Sequence, residues 1–234
     1  MFDDGKIGGT VVANDRDVIT AEITHTNLKG GRLRAEKGIN LPDTELKVSA
    51  LTDKDLRDLE SVVRYADMIG LSFVRSPEDV SLLQKHLSRL GAKQTGVILK
   101  IENEKAFENL PNLLLAGLCA PPVGVMVARG DLAVEVGFER LAEAQEEILW
   151  LCEAAHVPVI WATQVLEGMA NKGAPSRAEV SDAVMSGRAE CVMLNKGPYI
   201  VETVRFLNGI LERMDAHQSK RRAMMRRLSI SEID

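Results

Sequence analysis

Cysteine is scarce in this chain: three residues, Cys119, Cys152 and Cys191, lie far apart and each sits inside an apolar stretch. That spacing suits neither a zinc site nor a disulfide frame, so buried, reduced thiols in a cytoplasmic protein are expected. An excess of positive charge is missing as well. With 29 Lys and Arg against 34 Asp and Glu the formal net charge is −5, and a general nucleic-acid binder needs the opposite balance to displace counterions. No apolar run reaches membrane-spanning length, and Met1-Phe2-Asp3-Asp4-Gly5-Lys6 has no signal-peptide character. What is present, 45% apolar and 27% charged residues over 234 positions, is the composition of a soluble globular protein. The chain is long enough to bury the core of one large domain or slightly more.

Two textures divide the sequence. Residues 6–42 are rich in Thr, Val, Gly and Asn, with alternation in Thr20-Ala21-Glu22-Ile23-Thr24-His25 and turn residues at Asp15-Arg16-Asp17 and Gly30-Gly31. This predicts antiparallel β structure. From about Thr52, apolar runs alternate with helical patterns. The runs are Met68-Ile69-Gly70-Leu71-Ser72-Phe73, Gly96-Val97-Ile98-Leu99-Lys100-Ile101, Val123-Gly124-Val125-Met126-Val127, Val157-Pro158-Val159-Ile160-Trp161 and Cys191-Val192-Met193-Leu194. Helices are predicted over 76–90, 141–155 and 177–186. The runs recur about every 30 residues, the length of one strand-plus-helix unit, and their continuity fits parallel strands covered on both faces. Five successive βα units suit a doubly wound sheet or part of a (β/α)₈ barrel. No Gly-rich dinucleotide fingerprint or phosphate loop follows any of them, which favours the barrel. In the last helix Val204, Leu207, Leu211 and Met214 recur at helical spacing, predicting a packed face. The basic residues Lys220-Arg221-Arg222 and Arg226-Arg227 after it read as a solvated face running into a loose terminus.

Polar residues gather where barrel enzymes keep their chemistry, at the C-terminal ends of these strands. The second run ends Lys100-Ile101-Glu102-Asn103, and strand alternation puts Lys100 and Glu102 on the same side. The third ends Ala128-Arg129-Gly130-Asp131, and the fourth Ala162-Thr163-Gln164, with Glu167 expected about one turn into the next helix. The first carries Ser72 and continues to Arg75. Carboxylates at Glu102 and Asp131 supply the hard oxygen ligands that Mg²⁺ takes in ones and twos. Lys100 offers a cation for an enolate or a phosphoryl group in transfer. Gly130 lets the backbone come close enough for its N–H to hold a carboxylate, and Thr163 adds a hydroxyl. Taken singly, Lys100 with Glu102 also fits a structural ion pair, Asp131 an N-cap, and Arg129 a fold-supporting salt bridge. Their repetition at one end of successive strands favours the functional reading, chemistry on a small anionic oxo-acid that chelates a divalent metal.

At these residues the sequence resembles pyruvate kinase. Ile98-Leu99-Lys100-Ile101-Glu102-Asn103 is similar to that family's active-site signature, with Leu99 in place of the usual serine. Met126-Val127-Ala128-Arg129-Gly130-Asp131-Leu132 resembles its metal and substrate strand. Ala162-Thr163-Gln164-Val165-Leu166-Glu167 resembles the next strand, and Pro175-Ser176-Arg177-Ala178-Glu179-Val180-Ser181-Asp182 the loop and helix after it. Asp3-Asp4-Gly5-Lys6-Ile7 and Lys37-Gly38-Ile39-Asn40-Leu41-Pro42 resemble the end of the family's small β domain and its return to the barrel. The resemblance implies an incomplete (β/α)₈ barrel of about five βα units. Residues 1–42 would be the remnant of the small domain, 43–214 the partial barrel and 215–234 a basic tail. It implies catalysis by Lys100 and Thr163, substrate binding by Gly130, Asp131, Thr163 and Ser72, and Mg²⁺ or Mn²⁺ held by Glu102 and Asp131. Phosphoryl transfer from phosphoenolpyruvate to ADP, giving pyruvate and ATP, would follow. K⁺ would be a second cofactor whose ligands fall outside this chain. The resemblance implies neither nucleic acid nor membrane as a partner, and it leaves room for a homo-oligomer.

The departures from the family are specific. Three strands that precede this region in pyruvate kinases, and the phosphate-binding arginine they carry, have no counterpart here. Asn195-Lys196-Gly197-Pro198 replaces a Ser-Gly-Glu-Thr stretch, Lys47 stands where an acidic residue is usual, and the C-terminal regulatory domain has no match. The expectation is that the missing strands are encoded upstream of Met1 or on a second chain. Two other classes compete: a non-catalytic remnant or interaction protein retaining the metal site, and a Mg²⁺-dependent oxo-acid lyase or aldolase using the same enolate chemistry.

Overall fold

The computed structural model describes residues 1–3, 5–26, 30–35, 37–44 and 48–223. Lys47, Arg226 and Arg227 lie outside the described residues, as do the side chains of Lys220, Arg221 and Arg222. The chain divides into two compact units, Met1–Val159 and Ile160–Asp234.

The first unit opens with an antiparallel ribbon of β1 (Ile7–Asn14) and β2 (Ile19–Thr26), with Ile7 opposite Thr26 and Asn14 opposite Ile19. The predicted turn closes it: the Asp15 carboxylate accepts from the backbone N–H groups of Asp17 at 3.2 Å and Val18 at 2.9 Å, the Asx geometry that favours Asp at such turns. Only the root of the ribbon, Ile7 and Gly8, is buried. There Phe2 bridges to both Ile7 and Ile39.

The unit continues through α1 (Asp53–Val62), β3 (Met68–Leu71), α2 (Pro77–Arg89), β4 (Gly96–Ile101), α3 (Glu104–Glu108), α4 (Leu110–Leu118), β5 (Val123–Ala128), α5 (Arg129–Val136) and α6 (Leu141–Ala154). Its strands are parallel, β3 on β4 with Gly70 opposite Ile98, and β4 on β5 with Lys100 opposite Met126. Helix starts are written locally. Thr52 and Asp55 form a capping box at α1, Pro77 occupies the first turn of α2, and the Asn103 side chain caps α3. Val97, Leu99 and Ile101 of β4, Val125 and Val127 of β5, Leu83 of α2, Leu110 and Leu113 of α4 and Ile148 of α6 are all essentially inaccessible to solvent. Each such side chain contributes about 1.5–3 kcal/mol relative to exposure.

The second unit holds β6 (Val159–Val165) from Ile160 onward, α7 (Glu167–Lys172), α8 (Arg177–Met185), β7 (Cys191–Leu194) and α9 (Ile200–Ala223). β6 and β7 are parallel, with Ile160 opposite Cys191 and Trp161 opposite Val192. Among the described residues no helix is long and apolar enough to cross a membrane.

All five apolar runs form strands, and the chain is α/β with parallel pairing. Several local expectations are corrected. Arg129-Gly130-Asp131 open helix α5 rather than ending a strand, and Glu167 is the first residue of α7. Of the cysteines only Cys152 is buried; Cys119 follows the end of α4, and Cys191 is on the exposed side of β7. Val204 is exposed. The inward face of α9 is set instead by Leu207 and by Thr203, whose hydroxyl is satisfied by donating to the Tyr199 carbonyl at 2.7 Å.

Two contacts in the second unit are sensitive to substitution. Burial tends to raise the Glu179 carboxyl pKa, but the backbone N–H groups of Ser176 and Gly168 and the Ser176 hydroxyl outweigh it and hold it below the ordinary glutamate value. Because the folded pKa is the lower one, this stabilisation is full above the unfolded value and is lost as pH falls through the folded one. Glu179→Ala is therefore expected to lower stability by about 1 kcal/mol at pH 7, a difference that shrinks at pH 3 in parallel thermal melts. Gly197 lies against the backbone of Ala170, where an added Cβ would stand 2.2 Å from the carbonyl oxygen. Gly197→Ala should destabilise by about 1–3 kcal/mol, read as a lower urea midpoint with an unchanged slope.

Candidate active site

Alternation along β4 sorts its side chains. Val97, Leu99 and Ile101 take the fully buried face, which leaves Ile98, Lys100 and, one residue past the strand, Glu102 on the other. The Lys100 stem passes over Gly70 of the neighbouring strand, where a Cβ would already touch its Cδ at 3.5 Å. Its ammonium reaches Glu102 Oε1 at 2.8 Å and donates to Ser72 Oγ at 2.9 Å. Glu102 is only 3% exposed, and its other oxygen accepts from the backbone N–H of Phe73 at 2.5 Å. Phe73 reaches it from a left-handed conformation, φ +52°, a geometry that costs a residue with a Cβ roughly 1–2 kcal/mol.

The loop after β3 is pinned so that this strained geometry persists. Asn103 Nδ2 donates to the Val74 carbonyl at 3.1 Å, Asn109 Nδ2 to the Arg75 carbonyl at 3.0 Å, and the Arg75 guanidinium to the Val48 carbonyl. Asn103 also caps α3 by accepting from Ala106 N–H at 2.9 Å. A single asparagine thus fixes the start of a helix and the loop carrying Ser72 and Phe73.

A second group forms at the start of α5, directly after β5. Arg129 is buried, Gly130 follows, and Asp131 lies in the first turn, where backbone N–H groups favour anions. Asp131 Oδ1 accepts from Asn40 Nδ2 at 3.3 Å, and the same amide donates to Glu135 Oε1 at 3.2 Å. Burial pushes the Glu135 carboxyl above its ordinary range, the Asn40 N–H opposes this, and the neighbouring Asp131 charge adds to it.

The structure thus brings Ser72, Lys100 and Glu102 into direct contact and groups Asp131 with Asn40 and Glu135. Gly130 precedes Asp131 in the first turn. Thr163 belongs to the second unit. There the ladder of β6 to β7 passes from Trp161 directly to Val165, and Thr163 sits in that break. Sequence reasoning passed over Asn40, Glu135, Phe73 and Asn109. The lone polar residue in Ile39-Asn40-Leu41-Pro42 and the i,i+4 spacing of Asp131 and Glu135 were the available signals. A left-handed Phe leaves none.

Among the described residues no three His, Cys, Asp or Glu side chains come together as a protein-only metal cage. Carboxylates at Glu102, just past β4, and at Asp131, in the first turn of the helix after the adjacent strand β5, instead fit Mg²⁺ or Mn²⁺, which takes one or two carboxylates and leaves positions for water and substrate oxygens. Glu102 retains acceptor capacity, since a carboxylate accepts about four bonds and two are used here.

Known proteins resemble this chain over most of its length. The family model described as pyruvate kinase, barrel domain, matches residues 1–204. The pyruvate kinase of Borreliella burgdorferi is 35% identical over 226 residues, covering 93% of this chain and 45% of its own length. That of Candida albicans is 38% identical over 214 residues, covering 88% and 40%, and that of Mycobacterium tuberculosis 37% over 219 residues, covering 90% and 44%. The chain spans less than half the length of these curated relatives. With the family model matching residues 1–204 of its 234, the chain belongs to the pyruvate kinase family.

Proposed function

We propose that this chain carries the metal and enolate half of a pyruvate kinase active site and takes part in phosphoryl transfer from phosphoenolpyruvate to ADP. The observation that supports it most is the Lys100 ammonium held 2.8 Å from a carboxylate that is 3% exposed. A cation fixed in this way is positioned in advance for charge that develops during reaction.

In this reading Glu102 and Asp131 hold Mg²⁺ or Mn²⁺, which when bound neutralises charge on the oxo-acid and the transferring phosphoryl group. Lys100 stabilises the phosphoryl group in transfer and the enolate oxygen left behind. Gly130 N–H and the first turn of α5 bind the substrate carboxylate. Ser72 holds the Lys100 ammonium at the substrate's edge, and Thr163 is the residue that the resemblance assigns to protonation of the enolate. No covalent intermediate on the protein is needed, so positioning and electrostatics supply the catalysis. Residues 1–42 are the root of a small β domain and 43–214 part of a (β/α)₈ barrel. K⁺ would be a second cofactor, and a cytoplasmic setting fits the glycolytic reaction.

A second reading, a non-catalytic remnant or interaction protein that keeps the metal site, is favoured by Lys100 and Glu102 being closed on each other at 2.8 Å, as a structural ion pair would be. A coupled assay of pyruvate and ATP formation separates the two. Turnover dependent on Mg²⁺ and ADP is expected. Lys100→Met should lower it by about 10²–10³-fold, with Lys100→Arg as a variant that keeps Glu102 paired. Unchanged turnover in both variants refutes the role given to Lys100, and no turnover in the wild-type chain supports the remnant.

A further inference from the structure

Asn40 is 5% exposed, and its backbone is fixed from both sides. Its N–H donates to the Met1 carbonyl at 2.9 Å, its carbonyl accepts from the Met1 nitrogen at 2.8 Å, and Asp3 N–H donates to the Gly38 carbonyl two residues earlier at 3.1 Å. The side chain leaves this ladder toward α5, where both protons of its amide are used, on Asp131 Oδ1 and Glu135 Oε1. The amide oxygen is buried with no hydrogen-bond partner among the described residues, although a buried carbonyl normally has one.

Two carboxylates at i and i+4 on a helix repel each other. A lysine between them would relieve the repulsion, but its positive charge would compete with a cation for the same oxygens. A neutral amide orients both carboxylates and leaves their negative charge in place. We infer that Asn40 is a positioning residue for the Asp131 carboxylate, setting the rotamer in which it meets a divalent metal and linking that ligand to the root of the β1–β2 ribbon. The unpartnered Asn40 oxygen is then an acceptor for a water of the hydrated ion. This inference rests on the metal-site reading above. It adds that metal affinity depends on a side chain from the segment returning from the ribbon, more than 90 residues away in sequence from the ligand it orients.

Mn²⁺ binding to the 234-residue chain, followed by loss of the free-ion electron paramagnetic resonance signal, tests the inference without catalysis. Asn40→Leu keeps the volume and removes the donors; Asn40→Ser, with a single hydroxyl donor, is measured beside it in case the first does not fold. Asp131→Asn establishes whether the metal is at this site. The expected result is near-complete loss of binding in Asp131→Asn and a Mn²⁺ Kd weakened about 10–100-fold in Asn40→Leu, the usual effect of removing a partner that orients a ligand. Thermal midpoints taken without metal separate positioning from stability: a merely structural Asn40 lowers the midpoint and leaves Kd unchanged. An unchanged Kd in a folded Asn40 variant, with Asp131→Asn defective, overturns the role of Asn40 alone. Wild-type affinity in Asp131→Asn overturns the metal site itself, and this inference with it.

Discussion

A carboxylate that is 3% exposed must be met by donors or lose its charge, and Glu102 is met twice. Lys100 approaches along the same strand face, which two-residue alternation guarantees. The Phe73 N–H approaches from the adjacent loop, which requires a left-handed residue and a loop pinned through Asn103 and Asn109. The surrounding geometry follows from satisfying this one buried charge. The short strand β3, the glycine under the lysine stem and the asparagine cap of α3 all serve it while doing ordinary structural tasks.

Parallel pairing extends the arrangement. Because β4 and β5 run in the same direction, the residues that follow them emerge at the same edge, so Glu102 and the first turn of α5 are neighbours by topology. Asp131 is then held by an amide from outside the strand-and-helix layers. In the first unit the ribbon root, the return segment through Asn40 and the start of α5 are therefore joined by hydrogen bonds as well as by chain order.

Much of the fold was legible because period-two and period-3.6 patterns are directly visible in sequence. The five apolar runs became strands, and the helices expected over 76–90, 141–155 and 177–186 form over most of those spans. The Lys100–Glu102 contact was legible for the same reason. Harder to read were features decided by tertiary packing. Cys119 and Cys191 are as apolar in local context as Cys152, yet they fall on exposed faces. Val204 fits the helical stripe, but Thr203 takes the inward position because its hydroxyl bonds back to its own helix. Asn40 looks like an ordinary loop residue until α5 is folded beside it.

The proposed site requires a divalent metal bound by Glu102 and Asp131. Anomalous X-ray scattering at the manganese edge, from crystals of this chain grown with Mn²⁺ and pyruvate, locates such an ion directly. The expected result is a peak within bonding distance of one oxygen of each carboxylate, with the Lys100 ammonium beside the pyruvate. A manganese peak elsewhere, with Glu102 still closed on Lys100 and Phe73 and Asp131 held only by Asn40, would contradict it.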